Sequence, residues 1–226
     1  MLVAAAVQGS IGFGANIVAM PLLFLIDPAF VPGPALLGGF GLNVLNLVRD
    51  RRSAAVRPIG TALVGRIGGT MIAVATLRVL SEEGIGLVVA LVVLSVVALS
   101  LSGMTAPRTT RNMLTGGVFS GFGAGTAGIG GPPVALLFQD SEGPEVRGSL
   151  GLYFVVGNVI SLTGLAIAGR FGTDEIRLGL ALAPAAVAGF AISRWFIPFV
   201  DRGRMRTAIL VVSSAAAAGL LLDLVS

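Results

Sequence analysis

The chain has 226 residues, of which 55% are hydrophobic and 12% are charged, whereas a soluble domain carries about 25% charged residues. Its net charge of +4 comes from arginines without any lysine, most of them in short loops between apolar runs, which indicates membrane topology and argues against nucleic-acid binding. The sequence contains no cysteine and no histidine, which excludes disulfides, thiolate chemistry and histidine-bound metal ions.

Charge-free apolar runs recur along the whole chain and predict an all-α, polytopic membrane protein. A helix needs about 20 apolar residues to cross the hydrocarbon core, and arginines that flank the shorter runs can extend to the headgroups. In chain order we predict a broken segment followed by three continuous helices, and then the same order again: Leu2–Ile26 (broken), Val31–Val48, Pro58–Leu77, Ile85–Ser102, Asn112–Gln139 (broken), Ser149–Ala168, Leu178–Val200 and Met205–Leu224.

The two broken segments have related sequences. GSIGFGANIVA (Gly9–Ala19) aligns with GTAGIGGPPVA (Gly125–Ala135), and further along GLNVLNL aligns with VGNVISL, which pairs Asn43 with Asn158. Two Gly-rich segments, each followed at a matching distance by an asparagine in an apolar helix, indicate a tandem duplication. We therefore predict two repeats, 1–107 and 108–226, that together form one transmembrane domain.

Arginine positions bear on whether the second broken segment crosses the membrane or turns back. If Asn112–Gln139 crosses, eight loop arginines lie inside and five lie outside. If it is a re-entrant hairpin, Arg78, Arg170 and Arg177 lie outside, and the inside set is Arg49, Arg51, Arg52, Arg57, Arg108, Arg111, Arg147, Arg202, Arg204 and Arg206. The positive-inside bias favours the hairpin, which leaves three spans per repeat and therefore two inverted repeats, as in many secondary transporters. For the first broken segment, re-entrant and spanning arrangements both remain open.

The glycines interrupt apolar segments where a continuous helix would otherwise be expected. Backbone that leaves a helix at membrane depth must be buried in protein or line a cavity, because lipid cannot satisfy its N–H and C=O groups. Each segment is predicted to resume as a helix, around Ala15–Ile26 and Pro132–Gln139, with free N–H groups and the positive end of the helix dipole facing the protein centre. We therefore predict an anion site between the two breaks, formed by Gly12, Gly14, Gly128, Gly130 and Gly131 with donors from Ser10, Asn16 and Thr126.

Close helix packing is the alternative role for glycine in a membrane protein. It is our prediction for four glycines at small-xxx-small spacing, namely Gly65, Gly69, Gly117 and Gly121. For the glycines of the two breaks, the duplication and the adjacent prolines favour a substrate site.

Polar side chains within the apolar helices are further candidates. Arg66 lies midway along its predicted helix, where a charge is a functional hypothesis by default and a guanidinium matches oxyanion geometry. Bonding to the helix-end carbonyls of a neighbouring break is the alternative role for Arg66. Asn43 and Asn158 are expected either to bond between helices or to contact substrate, and Arg147 to act either as a loop anchor or as a gate.

Acidic residues lie only at predicted segment ends or in loops, and the sequence contains no nucleotide-binding motif. A mid-membrane proton relay and ATP-driven transport by this chain alone are therefore not expected. A membrane enzyme is disfavoured because it needs a nucleophile with a base, a metal or a pair of carboxylates. We predict no enzymatic activity and no cofactor.

The two glycine signatures, GSIGFGANIVAMPLL (Gly9–Leu23) and SGFGAGTAGIGGPPVALLF (Ser120–Phe138), resemble those of the sulfite exporter TauE/SafE family, also called the toluene-sulfonate uptake permease family. Arg147, which opens the helix that runs to Asn158, also fits the family pattern, whereas Ala15-Asn16 departs from it where a further glycine is common. The resemblance implies a transporter of small sulfur oxyanions or organosulfonates, usually outward.

We therefore predict a secondary transporter in a bacterial-type plasma membrane, an exporter that runs on the substrate gradient and the membrane potential. A passive anion channel of the same architecture is the nearest alternative, because selectivity filters also use irregular backbone. Its expected partners are the anion, the surrounding lipids and a second copy in a homodimer. The sequence leaves open which anion is carried, the direction of transport and the coupling ion.

Overall fold

The computed structural model describes residues 1–11, 14–101, 106–138, 140–193 and 195. Within these ranges the regular elements are helical: α1 (Leu2–Ile11), α2 (Ala15–Ile26), α3 (Gly33–Asp50), α4 (Val56–Leu77), α5 (Glu82–Leu101), α6 (Thr110–Ala127), α7 (Pro132–Ala135), α8 (Gly143–Ile167) and α9 (Thr173–Ser193), with short 3-10 turns at Pro28–Phe30, Arg51–Ser53 and Leu136–Phe138. The predicted site residue Gly12, the predicted last helix Met205–Leu224 and three of the predicted inside arginines (Arg202, Arg204 and Arg206) lie outside the described residues.

The all-α prediction is confirmed for the described part of the chain, and α4, α8 and α9 are each long and apolar enough to cross a membrane. The outer surface of α4 carries exposed Val64, Ile67, Met71 and Ile72. A row of exposed aliphatic side chains along one helix suits contact with lipid acyl chains.

Helices α3 and α8 form a central antiparallel pair. Gly148, near the start of α8, lies against the backbone of Asp50 at the end of α3. Further along α8 and near the start of α3, the Asn158 side-chain amide donates a hydrogen bond to the Leu36 carbonyl, at 3.3 Å. The two helices that align in the duplicated sequence therefore run in opposite directions.

Helix α4 lies beside α8 and runs parallel to it. The Ser149 hydroxyl accepts a hydrogen bond from the Ala55 N–H at 2.9 Å, and toward the other end of both helices Gly164 lies against Thr70. The start of α4 is therefore at the same face of the protein as the start of α8.

Helix α9 lies beside α3 in the same parallel manner. Gly33, at the start of α3, lies against the Phe171 ring just before α9. Near the ends of both helices, the Arg49 guanidinium is 5.6 Å from the Phe190 ring centroid. Because α3 and α8 are antiparallel, α9 and α4 also run in opposite directions.

Helix α6 packs closely on α4, and glycines make the close approach possible. Gly117 lies against Ala62, and two turns further along Gly125 lies against Ala73, so the two helices run in the same direction. Gly65 and Gly121 lie in the same interface, in agreement with the packing role predicted from their spacing.

Helix α1 packs on α9 as α6 packs on α4. Gly189 lies against the Leu2 carbonyl, and further along the Ser10 hydroxyl donates to the Ser193 carbonyl at 3.1 Å. Each broken segment therefore packs on a long helix from the other half of the sequence.

The chain reverses after α6 and returns along it. Gly128 takes a left-handed conformation (φ 70°), which glycine adopts without steric cost. On the return, Gly130 lies against Ser120, and the Phe138 ring centroid is 5.0 Å from the guanidinium of Arg108, just before α6 begins. Residues 110–138 thus form a hairpin whose two ends meet.

These directions sort the loop arginines onto two faces. One face holds the end of α3 and the starts of α4, α6 and α8, and the other holds the end of α4, where Arg170 donates to the Leu77 carbonyl at 2.8 Å. The first, which we call the arginine-rich face, carries Arg49, Arg51, Arg52, Arg57, Arg108, Arg111 and Arg147. The opposite face carries Arg78, Arg170 and Arg177, so the described arginines divide as expected for a hairpin.

The glycine contacts predict unequal effects of two substitutions on the same helix. A Cβ on Gly65 would overlap the Leu114 carbonyl oxygen, whereas a Cβ on Gly68 would meet open space. Gly65→Ala should therefore lower the free energy of unfolding by about 1–3 kcal/mol. Thermal unfolding in detergent measures the change. Gly68→Ala is the control and should be neutral or slightly stabilising; equal losses in both variants would contradict the packing described here.

Candidate functional site

A cavity lies where the two broken segments meet α3, α4 and α8. It is lined by eight of the predicted site residues: Gly14, Asn16, Asn43, Arg66, Gly128, Gly130, Gly131 and Asn158. The centre of a water-sized sphere can move through about 30 Å³ of this cavity. Because one water needs roughly 10–15 Å³ by this measure, the cavity suits a ligand of few heavy atoms.

Arg66 is the charged group of the cavity, and its side chain is only 1% exposed. Its two terminal nitrogens donate to the hydroxyls of Ser120 and Ser161, each at 3.2 Å. The Tyr153 ring centroid lies 5.0 Å from the guanidinium carbon, within cation–π range. Gly157 has no side chain at the point where a Cβ would overlap the guanidinium, so α8 leaves the space that Arg66 occupies.

No carboxylate neutralises Arg66 among the residues that the structure describes. The ion pairs there are Arg49–Asp50, Arg147–Asp50, Arg108–Glu145 and Arg177–Asp174. The Arg66 Nε is buried and has no hydrogen-bond partner. A buried guanidinium normally needs a charged partner, because loss of hydration costs several kcal/mol per ion. The cavity can therefore receive an anion at Arg66.

The second break supplies backbone donors to the same cavity. The Ser120 hydroxyl, which accepts from Arg66, donates to the Gly130 carbonyl and so fixes the break against α6. The N–H groups of Gly130 and Gly131 have no acceptor among the described residues. These amides are therefore available to a bound oxyanion.

The helix that resumes after the second break is shorter than the sequence analysis predicted. α7 comprises four residues, Pro132–Ala135, and a 3-10 turn ends at Phe138. A helix of one turn has little macrodipole, so an anion here would rely on individual N–H groups rather than on the dipole.

The first break is joined to the second by a side chain. Gly14 has a φ of 103° and precedes α2 without a side-chain cap. The Asn16 side-chain amide donates to the Gly128 carbonyl at 2.7 Å. Asn16 therefore links the two broken segments, and one of its two amide hydrogens is already used.

Two further amides of the cavity hold neighbouring helices together. Gln8 on α1 donates to the Asn43 side-chain oxygen on α3. Asn158 on α8 donates to the Leu36 carbonyl, also on α3. Gln8 is not among the predicted site residues, although it is one of few polar residues in its apolar segment.

Two predicted donors, Ser10 and Thr126, do not line the cavity. The Ser10 hydroxyl donates to the carbonyl of Ala6, and the Thr126 hydroxyl donates to that of Phe122, each at 2.8 Å. Bonding of a serine or threonine to the carbonyl four residues earlier is common inside helices. The Thr126 hydroxyl therefore satisfies a backbone group of its own helix, and the Ser10 hydroxyl shares its proton between the carbonyls of Ala6 and of Ser193 on α9.

Arg147 lies at the arginine-rich face rather than in the cavity. Its Nε donates to the Asp50 carboxylate at 2.9 Å, and the same oxygen accepts from Arg49 at 3.1 Å. Arg49 also donates to the Gly9 carbonyl and to the Asn46 side-chain oxygen. This ionic cluster of Arg49, Asp50 and Arg147 joins α1, α3 and α8 at the arginine-rich face.

Comparison with protein families agrees with the resemblance read from the glycine signatures. The model of the family described as Sulfite exporter TauE/SafE matches residues 1–220. No match was found among curated proteins or among solved structures. With nearly the whole chain covered by this match and helices able to cross a membrane, the protein belongs to the sulfite exporter TauE/SafE family of membrane transporters.

Proposed function

We propose that the protein is a secondary transporter that exports small sulfur-containing anions, such as sulfite or organosulfonates, across the plasma membrane. The anion binds in the central cavity against Arg66 and the N–H groups of Gly130 and Gly131. The observation that carries this proposal is a buried arginine that has an unpartnered nitrogen and forms no ion pair with a carboxylate of the described residues. Family membership supports the transport of sulfur oxyanions.

Two inverted repeats, 1–107 and 108–226, are the proposed architecture. The antiparallel directions of α3 and α8, which align in the duplicated sequence, support it. So do the matching contacts of α6 with α4 and of α1 with α9. The cavity between two broken segments then lies at the repeat interface, where secondary transporters bind their substrates.

We propose that residues 110–138 enter and leave the membrane at the arginine-rich face. Support comes from the contact between Phe138 and Arg108 at the two ends of the hairpin. By the positive-inside rule the arginine-rich face is cytoplasmic. An inside-negative potential then favours anion exit by about 2.3 kcal/mol per charge per 100 mV.

The ionic cluster is the proposed gate on the cytoplasmic side. A row of polar groups leads from the cavity along α3, through Asn43 and Asn46 to Asp50. Asp50 holds Arg49 and Arg147 together across the end of this row. An arriving anion offers these guanidinium groups the same kind of acceptor, so we propose that it exchanges with Asp50 as it passes.

Arg66→Met should abolish the stabilisation that anions confer on the purified protein. Removing one partner of a desolvated charge pair costs about 2–5 kcal/mol, so the affinity should fall at least about thirtyfold. A thermal-shift titration with sulfite, thiosulfate, sulfoacetate, taurine and sulfate measures it. The control is Arg57→Met in the exposed first turn of α4, which should bind as the wild type does. Equal affinity in Arg66→Met and the wild type would remove Arg66 from the site.

Exchange in proteoliposomes separates the carrier from the channel of the same architecture. A carrier saturates with substrate and is accelerated by unlabelled substrate on the opposite side. Flux that neither saturates nor shows this acceleration would favour the channel.

Asp50→Asn should open the cytoplasmic side of the cavity. The sequence contains no cysteine, so Ala124→Cys places a unique thiol in the cavity wall. The thiol is labelled with a membrane-impermeant reagent applied from the arginine-rich face. Because the lost ion pair contributes about 1 kcal/mol, the labelling rate should rise about fivefold. Arg147→Gln, which removes the other partner of the Arg147–Asp50 ion pair, should raise the labelling rate in the same way. Glu145→Gln, which breaks the Arg108–Glu145 pair on the same face, is the control; an equal increase there would contradict a specific gate.

A further inference from the structure

The charge of the cavity limits the charge of the anion that it can hold, an inference that rests on the proposed function. Arg66 is the charged side chain of the lining, and the four other polar side chains there are the neutral amides of Gln8, Asn16, Asn43 and Asn158. All acidic residues that the structure describes lie at helix ends or in connections, and none of them belongs to this lining.

The cavity lining also has few hydrogen-bond donors that are not already bonded to the protein. Gln8, Asn16 and Asn158 each use one amide hydrogen on a protein acceptor. The donors of these residues that have no acceptor are the Arg66 Nε, the N–H groups of Gly130 and Gly131, the second amide hydrogens of Gln8, Asn16 and Asn158, and both amide hydrogens of Asn43. This set can surround one small anion, but it adds no further positive charge.

We infer that the cavity selects anions by valence and takes singly charged oxyanions, such as a sulfonate or hydrogensulfite. A monoanion beside Arg66 leaves the buried site neutral. A dianion leaves one uncompensated negative charge in surroundings of low dielectric constant, which is strongly unfavourable. The specificity-determining feature is therefore the single cation among neutral amides.

Sulfite provides a test through its own protonation, because it becomes hydrogensulfite near neutral pH. Its affinity at a fixed total concentration should rise as pH falls through this transition. Tyr153 is the one other titratable group in contact with Arg66 among the described residues. Other charged groups on α4, α6 and α8 lie in their terminal turns or just beyond, namely Arg57, Arg78, Arg111, Glu145 and Arg147. If the affinity for sulfite rises as pH falls while the affinity for methanesulfonate does not, the difference therefore reports the charge of the ligand.

The direct experiment is a calorimetric titration of the purified full chain with methanesulfonate and with sulfate. Methanesulfonate should bind more than roughly tenfold more tightly, because the extra buried charge of sulfate is unpaired. Equal or tighter binding of sulfate would overturn the valence inference and leave the anion site intact. Failure of every anion in the sulfite, thiosulfate, sulfoacetate and sulfonate series to bind would instead remove the proposed function.

A charge-gain variant tests the same inference in the opposite direction. Gln8→Lys adds a second cation to the lining with a side chain of similar length, and it should raise the affinity for sulfate relative to methanesulfonate by roughly tenfold or more. Gln8→Met is the matched neutral variant and should keep the monoanion preference. An unchanged ratio in a folded Gln8→Lys protein would contradict selection by valence.

Discussion

A guanidinium that is buried without a carboxylate is the feature on which the rest of the structure depends. Stripping Arg66 of water is unfavourable by several kcal/mol, and the two serine hydroxyls and the Tyr153 ring offset only part of this. They also fix the orientation of the side chain, which lines the cavity, while its Nε remains buried without a partner. A bound anion would complete this arrangement, and its departure would restore an unfavourable state. Such a balance suits a carrier, which must bind its substrate and also release it.

Glycines create the space in which this charge is held. Gly121 lets α6 approach α4 closely enough for Ser120 to reach Arg66, and Gly157 keeps α8 clear of the guanidinium. The second half of the sequence supplies no matching cation. The alignment of Gly9 with Gly125 places Leu182 opposite Arg66, and the alignment of Asn43 with Asn158 places Ala181 there. The charge of the cavity therefore comes from one half of the sequence alone.

Much of the fold follows from the sequence, because apolar run length and clustered glycines act locally. Arg66 can be identified in the same way, because a single charged residue within an apolar helix is visible in the sequence. It does not identify Ser120 or Ser161, whose role depends on how three separate helices are rotated against one another. Ser10 and Thr126 show the converse, because a hydroxyl in a helix can bond either to a ligand or to its own backbone, and the sequence does not distinguish these outcomes. The shortness of α7 was likewise not predictable, because paired prolines allow a first helical turn without determining how far the helix continues.

Anomalous diffraction from crystals grown with selenite can show directly whether an anion binds at Arg66 between the two breaks. Selenite has the shape and charge states of sulfite, and its selenium atom can be located without ambiguity. We expect one strong selenium peak in the central cavity, at a position where the selenite oxygens are within hydrogen-bonding distance of the Arg66 guanidinium. A selenium peak elsewhere in the protein, with none beside Arg66, would contradict it.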